Sequence, residues 1–170
     1  MKKLEFQLPM FIATVSDHTK IKKEILQKIN ETPHERIHDE EQSISKTDWT
    51  IPAHVYRPYM DTVYPYIDSF LIELSKEFYK EKSVLKLDNY WFQQYEKGDF
   101  HNWHRHKGCF ACVYYIELPT GSSFTTFNIQ DKEISIPVEE GQIIAFLGGI
   151  EHQSKPNPIG RKTVIAFNTA

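Results

Sequence analysis

Histidines spaced for metal binding open the segment HRHKGCFACVYYIE (104–117). Alternate side chains of an extended strand point to the same face, so His104 and His106 can both reach one ion. A third ligand must come from elsewhere, and His152 follows GQIIAFLGGI, an apolar run that ends in two glycines. A strand ending there would place its imidazole at the mouth of a barrel, opposite the other two. The pattern therefore predicts a metal site made by His104, His106 and His152.

A cation and a hydroxyl group follow the third histidine. Arg161 comes nine residues after His152, and Thr163 lies two residues further along, on the same face of the last predicted strand. A guanidinium fork beside a hydroxyl group can bind a carboxylate through charge-assisted hydrogen bonds. We therefore expect Arg161 and Thr163 to bind an acidic ligand.

The two cysteines of the chain, Cys109 and Cys112, suggest a zinc knuckle at first sight. Such a knuckle needs a tight turn between its cysteines, and here Phe110 and Ala111 fill that turn without a glycine. In a strand the two thiols would face opposite ways. Buried structural thiols in a reducing compartment are the interpretation that we favour.

The elements that must position these residues are short strands. From residue 86 onward, β-branched and aromatic runs such as FACVYYIEL, GQIIAFL and KTVIAFN alternate with turn sequences such as PTGS and KPNPIG. Six or more short strands with regular turn signals predict a β-sandwich or a small barrel. We expect residues 86–170 to form this β-rich half, with the site at its open end.

The first half of the chain has a helical pattern instead. Apolar residues at helical spacing predict amphipathic helices over about 12–30, with Ser16 or Asp17 as the N-cap, and over about 58–80, with a start or a kink near Pro65. Residues between the two helices, 31–50, are polar and aperiodic and predict a long loop, which could act as a lid. The expected organisation is a single domain with a helical support region over 1–85.

Composition excludes several classes of protein. At 170 residues and 40% hydrophobic, the chain can bury the core of one globular domain. The formal net charge is -3 and there is no basic stripe, so the sequence does not indicate a nucleic-acid partner. No apolar run reaches the roughly 18 residues that a membrane span needs, and no signal peptide is recognised at the N-terminus. We expect a soluble, cytoplasmic protein with no membrane partner; the oligomeric state is not indicated.

The segments YEKGDFHNWHRH, CVYYIEL and EEGQIIAFLGGIEHQSKPNPIGRKTVIAFN, within residues 90–168, resemble a known family. They are similar to the successive blocks of the iron(II) and 2-oxoglutarate dependent oxygenases, particularly the prolyl-hydroxylase-like branch and its small phage and bacterial relatives. The family pattern is a Tyr, a Gly three residues later, His-x-Asp, a Tyr-Tyr-Leu-like strand, a distal His, and Arg-x-Ser or Arg-x-Thr about ten residues on.

The resemblance implies a fold, cofactors and residue roles. The fold would be a double-stranded β-helix, a cupin-like jelly roll, in a mainly β chain with N-terminal helices (α+β). His104 and His152 would bind Fe(II), and O2 would be the oxidant. The resemblance implies that 2-oxoglutarate is bound by the following residues: Arg161, Thr163, Tyr115 and Tyr95.

One position departs from the family pattern. His106 stands where the family has a carboxylate, and this change weakens a hard iron(II) site relative to copper, nickel or zinc. Three-histidine iron sites occur in thiol dioxygenases, so oxygen chemistry is not excluded. Asp99 could supply the carboxylate, but it lies five residues before His104 in a predicted turn.

Two further residues are candidates for the substrate mouth, Trp103 and His101. Packing is the alternative for Trp103, and an exposed loop position is the alternative for His101. Three functions stay open at this stage. The first is a 2-oxoglutarate dependent dioxygenase that hydroxylates a prolyl-type peptide or a small molecule. The second is a three-histidine cupin-type dioxygenase that uses no oxo acid, and the third is a non-catalytic jelly-roll binding module.

Overall fold

The sheet of this protein curls so that two parts of it face each other across one apolar cluster. A computed structural model describes residues 7–81 and 84–170. Within these ranges the helices are α1 (His18–Glu31) and α2 (Tyr59–Tyr79). The strands are β1 (Met10–Thr14), β2 (Glu35–His38), β3 (Gln42–Thr47), β4 (Leu87–Tyr95), β5 (Phe100–His104), β6 (Phe110–Glu117), β7 (Thr125–Ile129), β8 (Lys132–Ser135), β9 (Gln142–Leu147), β10 (His152–Ser154) and β11 (Lys162–Thr169).

All strand pairs are antiparallel, in the order β1-β9-β6-β11-β4-β3-β5-β10-β7-β8, with β2 paired to β3. The strand β3 turns the corner between two walls. Its last residues, Lys46 and Thr47, pair with β4, and its first residues, Gln42 and Ser43, pair with β5. The main wall is β1-β9-β6-β11-β4 and the smaller wall is β5-β10-β7-β8. This is the expected jelly roll, the double-stranded β-helix.

The two helices cover the outer face of the main wall. Side chains of Ile25, Ile29 and Ile67 are fully buried against that face in one apolar cluster with Tyr114 and Phe167. Burial of this kind contributes roughly 1.5–3 kcal/mol for each large apolar side chain. The opposite face of the main wall looks into the roll, so its central strands are buried on both sides. None of the helices in residues 7–81 and 84–170 has the length and apolar character that crossing a bilayer demands.

The prediction for α2 is close to its observed bounds, whereas α1 begins at His18, about six residues later than predicted, because the chain before it forms β1. Asp17 occupies the N-cap of α1, although its side chain makes no capping hydrogen bond. Helix α2 begins at Tyr59 and runs through Pro65, so it does not start at the proline. The Ser69 hydroxyl donates to the Pro65 carbonyl at 2.8 Å.

The predicted loop over 31–50 was wrong, because this segment contains β2 and β3. Its strands carry buried polar side chains that bond to the rest of the roll. Ser43 donates to Asp99 at 2.6 Å, and Thr47 donates to the Phe92 carbonyl at 2.6 Å. Polar residues that face inward hide the apolar alternation by which strands are recognised. Strands β1, β2 and β3 therefore join the sheet that residues 86–170 were expected to form alone.

Candidate metal and cosubstrate site

Three imidazoles meet at one end of the roll. His104 ends β5 and pairs in register with His152, the first residue of β10. His106 follows β5, and its backbone N–H donates to the Gly148 carbonyl at 2.9 Å. One ring nitrogen from each of the three histidines lies within 4.8 Å of the others. This proximity would allow the three rings to share one metal ion, and it brings together the three histidines that the sequence indicated.

Backbone carbonyls fix two of the three rings. The Nδ1 atom of His104 lies 2.7 Å from the Asn102 carbonyl, and the Nδ1 atom of His152 lies 2.9 Å from the Ile150 carbonyl. A carbonyl only accepts hydrogen bonds, so Nδ1 carries the proton in both rings. Their Nε2 atoms are then left as bases, which is the form that binds a metal.

Burial keeps all three imidazoles neutral. Desolvation lowers the pKa of His104, and desolvation together with the neighbouring rings lowers the pKa of His106 to about 4 and that of His152 to about 2. Neutral imidazole is the metal-binding form, so the donors are ready at neutral pH without losing a proton.

Among the described residues, no carboxylate joins the group of three histidines. The alternative ligand Asp99 lies elsewhere, where it accepts hydrogen bonds from Ser43, Ser45 and the Glu96 backbone N–H. Its carboxylate holds the β4–β5 turn to β3. The donor set therefore consists of three neutral rings.

Of the two candidates for the substrate mouth, His101 lines the site and Trp103 does not. The His101 ring stacks on the His104 ring, with centroids 3.9 Å apart and planes at 11°, and lines the site. Trp103 lies next to His104 on β5 and is not among the residues that line the site. Simple alternation would place His101 on the face of Trp103, but the pairing of β5 with β10 shifts in register between His101 and His104, and this irregularity lets both histidines line the site.

The cysteines are both free thiols, and they differ in exposure. Cys112 is buried in the core, as expected, whereas Cys109 is exposed, contrary to that expectation. The Cys109 sulfur lies 3.2 Å from the Tyr79 hydroxyl group. Neither thiol belongs to the histidine group.

A buried lysine, Lys162, faces into the roll on the side away from its open end. We call the space between it and the histidines the inner cleft, which is lined by residues that include the following: Trp91, Gln93, Tyr95, His104, His106, Tyr115, Thr125, His152, Ser154, Lys162, Val164 and Asn168. The Lys162 ammonium donates to Ser154 Oγ at 2.6 Å and to two Ser123 oxygens at 3.1 Å, and it lies 4.6 Å from the centre of the Tyr95 ring. Desolvation lowers its pKa to about 7.

Arg161 and Thr163 do not face the inner cleft. The Arg161 guanidinium binds both carboxylate oxygens of Glu117, at 2.7 and 3.2 Å, and Thr163 donates to the same carboxylate at 2.9 Å. Their side chains leave β11 on the face opposite to Lys162. The expected carboxylate clamp is thus already occupied by Glu117, and Lys162 is the cation that the cleft offers instead.

Two tyrosines named in the sequence analysis line the inner cleft. The Tyr115 hydroxyl group lies 2.7 Å from Thr125 Oγ1, and burial raises its pKa to about 12. Tyr95 packs under Lys162, and burial raises its pKa as well. Beside them the Gln93 amide nitrogen is buried without a hydrogen-bond partner. The Gln93 amide N–H is an unused donor, and the Lys162 ammonium has no carboxylate partner. Both would be satisfied by a ligand with oxygen atoms that accept hydrogen bonds.

Beyond the histidines the site opens to the surface. This outer cavity has a volume of about 440 Å³, and the following residues line it: Trp49, Ile51, Ala53, Arg57, Asp88, Asn89, Tyr90, Trp91, His101, His104, Arg105, His106 and Asn168. His101, His104 and His106 line both spaces, whereas Lys162 lines the inner cleft alone. The outer cavity therefore adjoins the inner cleft at the histidines.

No protein-family model matches this chain, and no curated protein matches it. A solved 2OG-Fe(II) oxygenase family oxidoreductase from Burkholderia pseudomallei aligns over 95% of this chain and 85% of its own, with a TM-score of 0.76 and 10% identity.

Two solved hydroxylases are similar over comparable lengths. A prolyl-4-hydroxylase from Pseudomonas putida aligns over 95% of this chain and 92% of its own, with a TM-score of 0.68 and 13% identity. The viral collagen prolyl hydroxylase from Paramecium Bursaria Chlorella virus-1, solved with 2OG, aligns over 94% of each chain, with a TM-score of 0.60 and 16% identity. The resemblance noted in the sequence is confirmed at the level of the fold.

Proposed function

We propose that this chain, which has the fold of the solved 2OG-Fe(II) oxygenases, is a non-haem iron dioxygenase that uses 2-oxoglutarate. One observation carries the proposal: three neutral imidazoles and one buried ammonium line the same inner cleft. A metal-chelating dicarboxylic acid matches that arrangement, because one end can bind the ion while the other meets the cation. The proposed reaction is hydroxylation of a prolyl-type peptide or of a small molecule.

The residues of the chain have distinct tasks in this proposal. His104, His106 and His152 hold the ion through their free ring nitrogens. Lys162 binds the far carboxylate of the oxo acid, and Tyr115 offers a hydroxyl group to the same carboxylate. Each charge-assisted hydrogen bond is worth about 1.5–3 kcal/mol.

Iron(II) and 2-oxoglutarate, when bound, supply the oxidising chemistry: dioxygen gives one atom to succinate as CO2 leaves, and the other to a C–H bond of the substrate. The protein binds and orients the reactants and restricts water. The inner cleft is suited to this because its walls are buried side chains of β4, β6 and β11. A substrate in the outer cavity would stand on the opposite side of the histidines from Lys162.

The test is an anaerobic titration of Fe(II)-loaded protein with 2-oxoglutarate. A chelated oxo acid gives a weak visible charge-transfer band, and admitting oxygen should then yield succinate. Lys162→Met removes the charge and keeps the side-chain length, so the apparent dissociation constant should rise roughly 10- to 150-fold. Arg161→Met is the matched control and should leave it unchanged, since Arg161 pairs with Glu117. Equal affinities in both variants would refute the role of Lys162.

His106 favours a second candidate function. A three-histidine set without a carboxylate suits a dioxygenase that binds its substrate directly to iron and needs no oxo acid. Oxygen consumption with and without 2-oxoglutarate distinguishes the two functions. Metal analysis of the purified protein tests the third possibility, a binding module without a catalytic metal.

A further inference from the structure

Two buried polar atoms at the boundary between the inner cleft and the outer cavity have no hydrogen-bond partner. They are the indole nitrogen Nε1 of Trp91 and the amide oxygen Oδ1 of Asn168, in side chains that are each only 7% exposed. The Asn168 amide nitrogen donates to Asn89 Oδ1 at 2.7 Å, which orients the amide and leaves its oxygen free. Buried polar groups are rarely left unpaired, so both atoms indicate a ligand.

The two atoms are placed to act on one ligand group. Trp91 on β4 pairs in register with Ala166 on β11, so Asn168, two residues further along β11, is its diagonal neighbour on the same face. Both side chains line the inner cleft and the outer cavity. A group held between them therefore lies next to the metal ligands.

Aromatic rings form a flat surface beside these two atoms. The Trp91 ring stacks on the Trp49 ring with centroids 6.1 Å apart and planes at 28°, and it lies 5.8 Å from the His106 ring. Planar groups pack well against such surfaces.

The charges that line the outer cavity favour a neutral ligand. Arg57 binds Asp48 at 2.6 Å and Arg105 faces Glu151 at 3.4 Å, so both cations are already paired. Asp88 adds a carboxylate to the same wall. A phosphate or a carboxylate would meet no free cation among the residues described for this cavity, which disfavours a nucleic acid.

We propose that Trp91 and Asn168 form a binding subsite for a secondary amide of the substrate. The indole N–H would donate to the amide carbonyl, and Asn168 Oδ1 would accept the amide N–H. The pair would thereby orient the substrate over the histidines and select for amide-bearing molecules. This assignment of the substrate class rests on the proposed oxygenase function, but binding at the subsite can be measured without turnover.

The experiment is an NMR titration of the ¹⁵N-labelled, Zn(II)-loaded chain with N-benzylacetamide. The chain has three tryptophans, so only three indole N–H signals need assignment, by replacing each tryptophan with phenylalanine. We expect a saturable shift of the Trp91 indole signal. Benzyl acetate, which has the same shape without the N–H donor, should bind more weakly, by roughly threefold to tenfold.

Matched variants distinguish the contribution of the Trp91 hydrogen bond to binding from that of the aromatic surface. Trp91→Phe should weaken N-benzylacetamide binding roughly threefold to tenfold, and Trp49→Phe, the same change in the neighbouring ring, should alter it less than twofold. Asn168→Ala should remove the preference for the amide over the ester. The remaining indole signals report whether each variant is folded.

Equal binding of amide and ester, or an unmoved Trp91 signal, would overturn the proposal. A capped tri-alanine peptide that binds more tightly than N-benzylacetamide would assign the amide to a polypeptide, and the reverse order would assign it to a small molecule; both support the subsite. Since no oxygen or oxo acid is present, a failure of oxygenase activity would leave this result intact.

Discussion

The Lys162 ammonium is surrounded by neutral oxygens of Ser123 and Ser154 and by the Tyr95 ring. None of these groups offsets its charge, so desolvation lowers its pKa to about 7. A bound carboxylate would supply the missing counter-charge and raise that pKa. Cosubstrate binding should therefore be coupled to proton uptake by Lys162.

Affinity for 2-oxoglutarate should therefore fall as pH rises above about 7. The charged form of Lys162 binds the carboxylate, and each pH unit between the free and bound pKa values should weaken binding by about tenfold. Calorimetry in buffers of different ionisation enthalpy at pH 8 should show proton uptake. Lys162→Arg stays charged and should give a flat profile; a flat profile in the wild type would contradict the prediction.

We expect His106 to determine which metal the proposed site prefers. His106→Asp introduces the hard carboxylate ligand that the site lacks, so the affinity for Fe(II) relative to Zn(II) should rise at least about tenfold, which corresponds to 1.4 kcal/mol. Anaerobic competition dialysis with metal analysis measures the ratio. His101→Asp makes the same change in a ring stacked on His104 but outside the ligand group, and should leave the ratio unaltered.

The site was only partly predictable from the residues. The i, i+2 spacing was enough to find His104 and His106, although β5 ends at His104 and His106 lies just beyond it. Lys162 was missed because β11 is buried on both faces, so hydropathy does not reveal which residues face the cleft. Its position in the strand could have identified it. Val164 faces the inner cleft, and alternation along β11 places Lys162 on the same face.

At the scale of the elements, the connection between β3 and α2 forms one side of the outer cavity. Asp48 is fully buried and accepts hydrogen bonds from Arg57 Nε at 2.6 Å, from the Tyr59 hydroxyl group at 2.8 Å and from the Phe92 backbone N–H at 2.7 Å. Arg57 in turn donates to carbonyls of the connection, including that of Ile51 at 2.7 Å. This ion pair holds Trp49 and Ile51 in the cavity wall.

Arg57→Met should lower the free energy of unfolding by about 3–5 kcal/mol at pH 7, because Asp48 would be left buried without its cation. Desolvation raises the Asp48 pKa, and more so without Arg57, so the deficit should shrink as pH falls towards the ordinary carboxyl range. Urea denaturation at several pH values measures both effects. Arg105→Met is the control, since its pair with Glu151 is largely exposed and should contribute no more than about 1 kcal/mol.

The elements themselves were predictable where one face is apolar and the other polar. That pattern found both helices and the strands after residue 86. It failed for β2 and β3, whose inward residues include Ser43 and Thr47, and it found no β1, whose five residues form the edge of the main wall. Long-range pairing decided these three strands, and such pairing leaves little local signal.

At the scale of the molecule, the protein has layers: helices, main wall, cavity and smaller wall. The helices support the main wall alone, while the smaller wall ends in β8, all four residues of which are exposed. Two of the proposed metal ligands, His104 and His152, belong to that smaller wall. An ion at the three histidines would therefore stabilise the part of the fold with the least apolar cover.

Metal binding should for this reason raise the melting temperature of the whole chain. At a free Zn(II) concentration of 100 times its dissociation constant, the stabilisation is about 2.7 kcal/mol, provided that the unfolded chain binds the ion weakly. For a chain of 170 residues this corresponds to a shift of roughly 5–11 °C. Differential scanning calorimetry with and without Zn(II) measures it. His152→Ala should abolish the shift and His101→Ala should retain it; an unchanged shift in His152→Ala would show that the ion binds elsewhere.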